Sequence, residues 1–352
     1  MSISITPVQK SRVHEVDFAN LDFGAEFADH MLDVVFANGA WQTAEIVPYG
    51  PVPVLPSLSV FHYGQAVFEG MKAFRHADGR IALFRPEKNF ERMCRSCERL
   101  AMPVPSKEIF YEGLKELIRL DADWVPKEKY KSLYLRPFMI ATDPVIRLQA
   151  SKTYRFMIIT SPVGNYYKEG INPVPLTTVS NYVRAVVGGI GEAKAAGNYA
   201  ASMKPAREAQ QKGYAQVMWL DAKEHRYIEE VGSMNMFFVI NNTLVTPQLT
   251  GSILPGVTRD SVLHLARQWG MPVEERPVSM DELILAHKKG QLKEAFGAGT
   301  AAVISPVGRI NHMGEDIVIS ETMGPVAQRF YTAITDIQFG DAEDRYNWLQ
   351  FI

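Results

Sequence analysis

The sequence predicts an α/β protein of two domains. Strand-like runs rich in β-branched and aromatic residues recur along the chain, and amphipathic helical stretches are set among them. A segment rich in glycine, asparagine and proline interrupts the pattern near the middle. At 352 residues, 47% of them hydrophobic and 22% charged, the chain exceeds one ordinary domain and can bury a large core. The division places an N-terminal domain at residues 1–167, an interdomain connection at 168–181 and a C-terminal domain at 182–352.

Composition excludes several classes of function. A net charge of −2 gives no reason to expect nucleic acid or an anionic membrane as partner. No apolar run approaches the roughly 18–20 residues that span a bilayer. The opening MSISITPVQK has neither a signal-peptide core nor an Arg-rich transit pattern. Two cysteines in the whole chain point to a reducing compartment without a disulfide framework, so the expected location is cytoplasmic. The 8 histidines form no H-x-x-x-H-type pair, and no metal is expected.

Strand patterning starts at Trp41 with WQTAEIVPY and VPVLPSLSVFHY, where the prolines suit edges and turns. In HYGQAVFEGMKAFRHADGRIALFRP the Asp78-Gly79 pair separates two β-rich runs as a hairpin turn. Tyr63 and Phe68 lie on either side of Gly64, and Glu69-Gly70 interrupts the run. Pro86 opens a helix ended at Pro103, with Phe90, Met93, Cys94, Cys97 and Leu100 at helical spacing on its apolar face. Cys94 and Cys97 fit that buried stripe and lack the second cysteine pair that a zinc site needs. Arg92 lies off the stripe. Alone it reads as a solvated arginine; beside a phosphate, its planar fork of donors is apt. Ser106 is the N-cap of a second amphipathic helix. SLYLRPFMIAT and TYRFMIITSPV follow as strands. Arg136, in the first of them, must be paired or face a ligand, because burying a bare charge is too costly. Between them, the loop Asp143 to Ala150 carries valine, isoleucine and leucine, which invite cover by another subunit.

The second half centres on Gly188 to Ser202, GGIGEAKAAGNYAAS. Lys194 stands there among glycines and alanines, five residues before Tyr199. Small neighbours let a flat ligand lie against backbone. Partial desolvation leaves more free amine, the form a nucleophilic or Schiff-base lysine needs. A dinucleotide G-x-G-x-x-G reading from Gly189 fails because Lys194 stands where the last glycine belongs. A helix runs from about Ser202 to Gly213, and AQVMWLD is a strand. Glu230 precedes Gly232-Ser233 at the mouth of the strand MNMFFVI. It reads as a solvated strand end or as a carboxylate that keeps a heterocycle nitrogen protonated. In ILPGVTRDSVLHLARQWG a Pro-Gly turn leads into an amphipathic helix. The amides of Val257 and Thr258 have no partner within that helix and favour a phosphate. In FGAGTAAVISPV, the bend through Gly297, Gly299, Thr300, Ala301 and Ala302 lets backbone amides approach an anion.

Each feature is weak alone, but together they match the demands of pyridoxal 5'-phosphate. That cofactor needs a Schiff-base lysine, a donor at its phenolic oxygen and a carboxylate at its pyridine nitrogen. Its phosphate needs a helix N-terminus with an arginine. Lys194, Tyr199, Glu230, Val257 with Thr258, and Arg92 supply that set.

The chain resembles the branched-chain-amino-acid aminotransferases, a fold-type IV family of pyridoxal-phosphate enzymes. The resemblance runs through FHYGQAVFEGMKAFR, LFRPEKNFERM, SLYLRPF, the Lys194 stretch, EEVGSMN, ILPGVTRDS, FGAGTAAVISPV and the stretch from Met323 to Phe339. It implies a smaller N-terminal α/β domain and a larger C-terminal mixed domain, with the active site between them. It implies that Lys194 carries the cofactor, that Tyr199 touches the phenolic oxygen and that Glu230 binds the ring nitrogen. Arg92, Ser233, Val257, Thr258 and Thr300 fall on the remaining cofactor-binding positions. Tyr63, Phe68, Tyr134, Arg136, Tyr166, Thr300 and Ala301 fall on substrate positions, the Thr300-Ala301 backbone taking the α-carboxylate. A homodimer is implied, with the loop at Ile146 and Leu148 reaching the neighbour's site. Some mammalian members carry a redox C-x-x-C after the Gly-Thr-Ala bend; here those positions are Ala302 and Ser305. The implied reaction is transamination of L-leucine, L-isoleucine and L-valine with 2-oxoglutarate. A same-fold D-amino-acid or amine transaminase, or an aminodeoxychorismate lyase, is the alternative, and the aromatic lining from Tyr63 and Phe68 disfavours it.

Overall fold

The structure is a computed structural model that describes residues 3–164 and 171–352. Two compact units divide the chain. One comprises Met1–Tyr166, Ala193–Gly197 and Asp336–Ile352, and the other Tyr167–Glu192 and Asn198–Thr335. Both are sheets with helices, as the sequence predicts.

The first stretch of chain gives strands β1 (Ile3–Ile5), β2 (His30–Ala37), β3 (Ala40–Trp41) and β4 (Ala44–Pro48), then helix α1 (Ser59–Tyr63). Strands β5 (Ala66–Phe68), β6 (Met71–Arg75) and β7 (Ile81–Phe84) follow, then α2 (Pro86–Arg99) and α3 (Lys107–Leu120). The long strands β8 (Ser132–Ala141) and β9 (Tyr154–Val163) complete this part. The rest gives β10 (Val174–Thr178), α4 (Ala196–Gln211), β11 (Gln216–Leu220), β12 (Ile228–Val231), β13 (Met234–Ile240) and β14 (Thr243–Pro247). Then come α5 (Val257–Gln268), β15 (Val273–Arg276), α6 (Met280–Lys288), β16 (Leu292–Gly299), β17 (Val303–His312), β18 (Glu315–Val318), α7 (Pro325–Phe339) and β19 (Leu349–Phe351).

Among the described residues the first unit holds a ten-stranded sheet, ordered β1-β4-β2-β9-β8-β6-β7-β19, with β3 beside β2 and β5 beside β8. Its core packs Leu133, Leu135, Met139, Phe156 and Ile158 with Phe90, Met93 and Cys97 of α2 and Phe110, Leu114 and Leu117 of α3. The Asp78-Gly79 turn joins β6 to its antiparallel partner β7, with Gly79 at φ +88°, a conformation glycine adopts without cost. Ser106 caps α3 by accepting the Ile109 amide. Helix α2 ends at Arg99, before the expected stop at Pro103. Ala101 enters the left-handed region and the Met102 amide turns back to the Cys97 carbonyl, which closes the helix from within. Cys97 is fully buried, as read, and burial pushes its thiol pKa well up; Cys94 is half-buried and packs against the same core.

The second unit holds, among the described residues, a nine-stranded sheet ordered β12-β11-β10-β17-β16-β13-β14-β15, with β18 beside β17. Its core gathers Met218, Val231, Met236, Phe238, Val245, Leu283 and Ile310. The stretch read as a connection contains β10, an interior strand parallel to both β11 and β17. Pro173 and Pro175 disguise it in the sequence, and the register shifts between Val174 and Pro175, where proline has no amide to donate.

The units also depart from a single division near residue 182. Ala193–Gly197 joins the first unit because Ala195 bridges to Val67 and the Phe68 amide donates to the Lys194 carbonyl. The C-terminal tail joins it through β19, antiparallel to β7. No helix among the described residues is long and apolar enough to cross a membrane.

Candidate active site

In the first unit, Lys194 is held by its backbone. Its amide donates to Ser96 Oγ of α2 at 2.9 Å, and its carbonyl accepts the Phe68 amide at 3.0 Å. Its Nζ lies 4.9 Å from the centre of the Phe68 ring. Arg136 approaches the same ring at 4.7 Å, so two cations share one aromatic residue. Arg136 Nη2 donates to the Tyr134 hydroxyl at 3.0 Å. Its Nε is buried without a hydrogen-bond partner among the described residues, which an anionic guest would satisfy. Gly70 makes room for this arrangement: a Cβ there would stand 2.2 Å from Tyr134 Oη. Tyr63 closes α1 and is exposed. Tyr166 lies outside the described residues.

Arg92 is not the solvated arginine that its place off the apolar stripe suggests. It is buried, with Nε and Nη2 donating to the two oxygens of Glu69, each at 2.8 Å. Asn89 Nδ2 adds a third bond to Glu69 at 2.8 Å. Burial would raise the Glu69 carboxyl, but the charge and bonds of Arg92 outweigh it and hold the group below its usual range. Glu69 escaped the sequence reading. Its one signal was an acid inside an apolar strand run, which needs a partner.

Helix α4 begins at Ala196 rather than near Ser202, so Tyr199, in the second unit, sits in its first turns. Gly197 and Asn198 look like breakers, yet Asn198 Nδ2 bonds the Ile190 carbonyl at 2.8 Å, and the alanines around them favour helix. Glu230 is buried on β12, and its Oε1 accepts from the Leu254 amide and from Arg184 Nη2, the latter at 3.0 Å. Arg184 was also missed; nothing in its local sequence marks it. The two-residue turn Gly232-Ser233 returns the chain into β13, with Gly232 at φ +52°.

Three candidate elements meet at one end of β13. Asn235 pairs with Glu230 on one side and with Ala298, beside the Gly299–Val303 bend, on the other. Its Nδ2 donates to the Leu254 carbonyl at 2.9 Å. A Cβ on Gly256 would stand 2.1 Å from Asn235 Oδ1, so only glycine fits at the start of α5. Helices α3 and α6 are capped by serine side chains, whereas Gly256 brings none to α5. The amides at Val257 and Thr258 thus head a helix with no side-chain N-cap hydrogen bond, and its positive end favours an anion. Thr300 and Ala301 are half-buried in the bend between β16 and β17. Val303 follows at φ +62°, and the Ile304 amide bonds the Ala302 carbonyl at 2.8 Å. That is a tight γ-turn around a β-branched residue, a strained conformation.

The amino-transferase class IV family model matches residues 66–310. The branched-chain-amino-acid transaminase 1 of Bacillus subtilis is 51% identical over 335 residues, covering 94% of each chain. The solved branched-chain aminotransferase of Thermoproteus uzoniensis, with norvaline, has a TM-score of 0.76 at 28% identity, over 92% of this chain and 99% of that one. The T.th. branched-chain amino acid aminotransferase, solved with pyridoxamine 5'-phosphate, has a TM-score of 0.72 at 27% identity, over 90% of this chain and 97% of that one.

Proposed function

The chain belongs to the amino-transferase class IV family and, within it, to the branched-chain-amino-acid aminotransferases, and we propose that it moves the amino group of L-leucine, L-isoleucine or L-valine onto 2-oxoglutarate with pyridoxal 5'-phosphate. The observation that carries this reading is Lys194 Nζ, backbone-anchored and set over the Phe68 ring that Arg136 also approaches.

The residues present fit the cofactor. The uncapped start of α5 suits a phosphate, and the lysine and the buried carboxylate suit the two ends of its ring. Bound pyridoxal phosphate supplies an aldehyde carbon for amine exchange and an electron-poor ring that stabilises charge on the substrate Cα. Lys194 Nζ would hold it covalently, and its free amine would be the base that moves the proton at the substrate Cα. Tyr199 would donate to the phenolic oxygen, and Glu230 would hold the ring nitrogen. Val257, Thr258, Thr300 and Ser233 serve the phosphate with Arg92, whose guanidinium plane is set by Glu69. Phe68, Tyr63 and Tyr134 enclose the aliphatic side chain. Arg136, with its buried Nε, receives the second carboxylate of glutamate, and the Thr300-Ala301 backbone takes the α-carboxylate. Tyr166 is assigned to the substrate by resemblance alone.

A homodimer belongs to the same reading. Ile146 is 70% and Leu148 84% exposed, and their loop is tied to α1 by the Ser59 amide donating to the Asp143 carbonyl at 2.9 Å. Phe61 and Leu55 are also exposed, giving an apolar surface suited to a second copy. Two free thiols accord with a cytoplasmic protein.

The test is amino transfer from each L-branched substrate to 2-oxoglutarate, read as glutamate formed. Turnover of all three supports the reading; turnover of none refutes it. Light scattering should find a dimer, and Ile146→Asp with Leu148→Asp should yield an inactive monomer.

A further inference from the structure

We propose that Arg184 is a positioning residue, one that fixes Glu230 and two backbone turns beside it and so governs how strongly Glu230 holds the cofactor's ring nitrogen. This rests on the function proposed above. Arg184 is 8% exposed and Glu230 4%. One nitrogen, Nη2, reaches three acceptors: Glu230 Oε1 at 3.0 Å, the Gly191 carbonyl at 2.9 Å and the Ser252 carbonyl at 2.9 Å. Its two hydrogens cannot serve three acceptors at full strength, so the bonds are shared and each acceptor's place depends on the others.

The two carbonyls lie in turns that lead to the candidate chemistry. Gly191 is three residues before Lys194, and Ser252 is four before Gly256, which starts α5. The turns press together. A Cβ on Gly191 would stand 2.3 Å from the Ser252 carbonyl oxygen and 2.6 Å from Ala185 Cβ. Leu254, in the second turn, donates its amide to the same Glu230 oxygen. One guanidinium therefore ties together a carboxylate, the approach to the lysine and the approach to the anion-binding helix.

The adjacent glutamate shows what the charge does. Glu229 is buried too, and its Oε1 accepts from the Ser252 hydroxyl, while its Oε2 has no partner among the described residues. Burial pushes its carboxyl up, against smaller opposing effects of Ser252 and Arg184, with Asp221 adding to the rise. Of the two neighbouring buried acids, Glu230 is the one bonded to the guanidinium. Glu192, near Gly251 in the same unit, is exposed and screened by water. Arg184 brings a positive charge to this buried carboxylate, Glu230, and removing that charge favours uptake of a proton and weakens the hold on a ring N–H.

The experiment compares wild-type holoenzyme with Arg184→Met, which removes the charge, and Arg184→Lys, which keeps charge but lacks the fork. The first readout is the pH titration of the bound cofactor's visible absorbance. Arg184→Met should move the midpoint by about one pH unit or more and lower kcat about 10–100-fold, with KM for L-leucine changed less than about threefold. Arg184→Lys should restore part of both. The second readout, free of cofactor, is the Glu230 carboxyl titration in the apo chain by isotope-edited infrared spectroscopy, which should move upward in both variants. A wild-type protein that binds no cofactor would sink the proposed function, while the apo titration would still decide the role of Arg184. An unshifted Glu230 titration, or lower thermal stability with unchanged absorbance midpoint and kcat, overturns the proposal. Should Arg184→Met not fold, Arg184→Lys decides by the same criteria.

Discussion

Each unit sets a buried arginine against a buried glutamate near candidate residues, and the two pairs are built differently. Arg92 meets Glu69 through two parallel bonds, one to each carboxylate oxygen, and Asn89 joins from the same helix. This clamp ties α2 to the segment after β5, and its partners are side chains. Arg184 meets Glu230 through one nitrogen shared with two backbone carbonyls. Here the carboxylate is linked to backbone turns rather than to a helix. The difference separates two uses of one ion pair: the first holds a fold element, and the second passes the position of a carboxylate to the loops around it. Loss of the first should register mainly in stability, with a weaker hold on the cofactor phosphate through Arg92, and loss of the second in the chemistry at the ring nitrogen.

The largest test of that contrast is Glu69→Gln. It removes the carboxylate charge that faces the buried Arg92 and should cost about 3–5 kcal/mol in urea unfolding. An effect below about 1 kcal/mol would erase the contrast. The clamp also carries a pH signature. Glu69 titrates below its ordinary 4.5 in the folded chain, so its contribution is full above pH 4.5 and is lost as pH falls through the lower folded value. Unfolding curves should show less acid loss in Glu69→Gln than in wild type.

Gly70→Ala probes the ground beside the clamp. The added Cβ would collide with Tyr134 Oη, and the rearrangement should cost about 1–3 kcal/mol. It should also raise KM for 2-oxoglutarate, because Tyr134 supports Arg136. An unchanged KM would separate Tyr134 from substrate binding. Lys72, on β6 directly opposite Tyr134, shows a cation in which desolvation dominates: burial pushes its ammonium down to about 8. The unfolded chain then holds the proton more tightly than the folded one, so stability should rise with pH between about 8 and 10.5. Lys72→Met should abolish that share of the rise. The smallest effect belongs to Ser106→Ala, which removes the cap of α3 and should cost about 1 kcal/mol without altering activity.

Features encoded locally were legible in the sequence. The serine cap at Ser106, the Asp78-Gly79 hairpin and the stripe through Phe90, Met93 and Cys97 each depend on neighbours within a few residues. So does the uncapped Pro-Gly entry to α5. Features set by distant partners were hidden. Arg92 and Glu69 are 23 residues apart and Arg184 and Glu230 are 46 apart, and no periodicity connects them. The prolines around β10 read as a linker, because the sheet tolerates Pro175 only through a register shift that the sequence does not display. Lys194 was visible as a lysine among small residues, but its attachment to Phe68 and Ser96, which assigns it to the first unit, is a tertiary fact.

The central claim is that Lys194 carries the cofactor, and the most direct measurement is borohydride reduction of the holoprotein followed by peptide mapping. The expected result is one phosphopyridoxyl group on the peptide containing Lys194, with loss of the visible absorbance. A protein that stays colourless when supplied with pyridoxal phosphate, or a label on another lysine, would contradict the account.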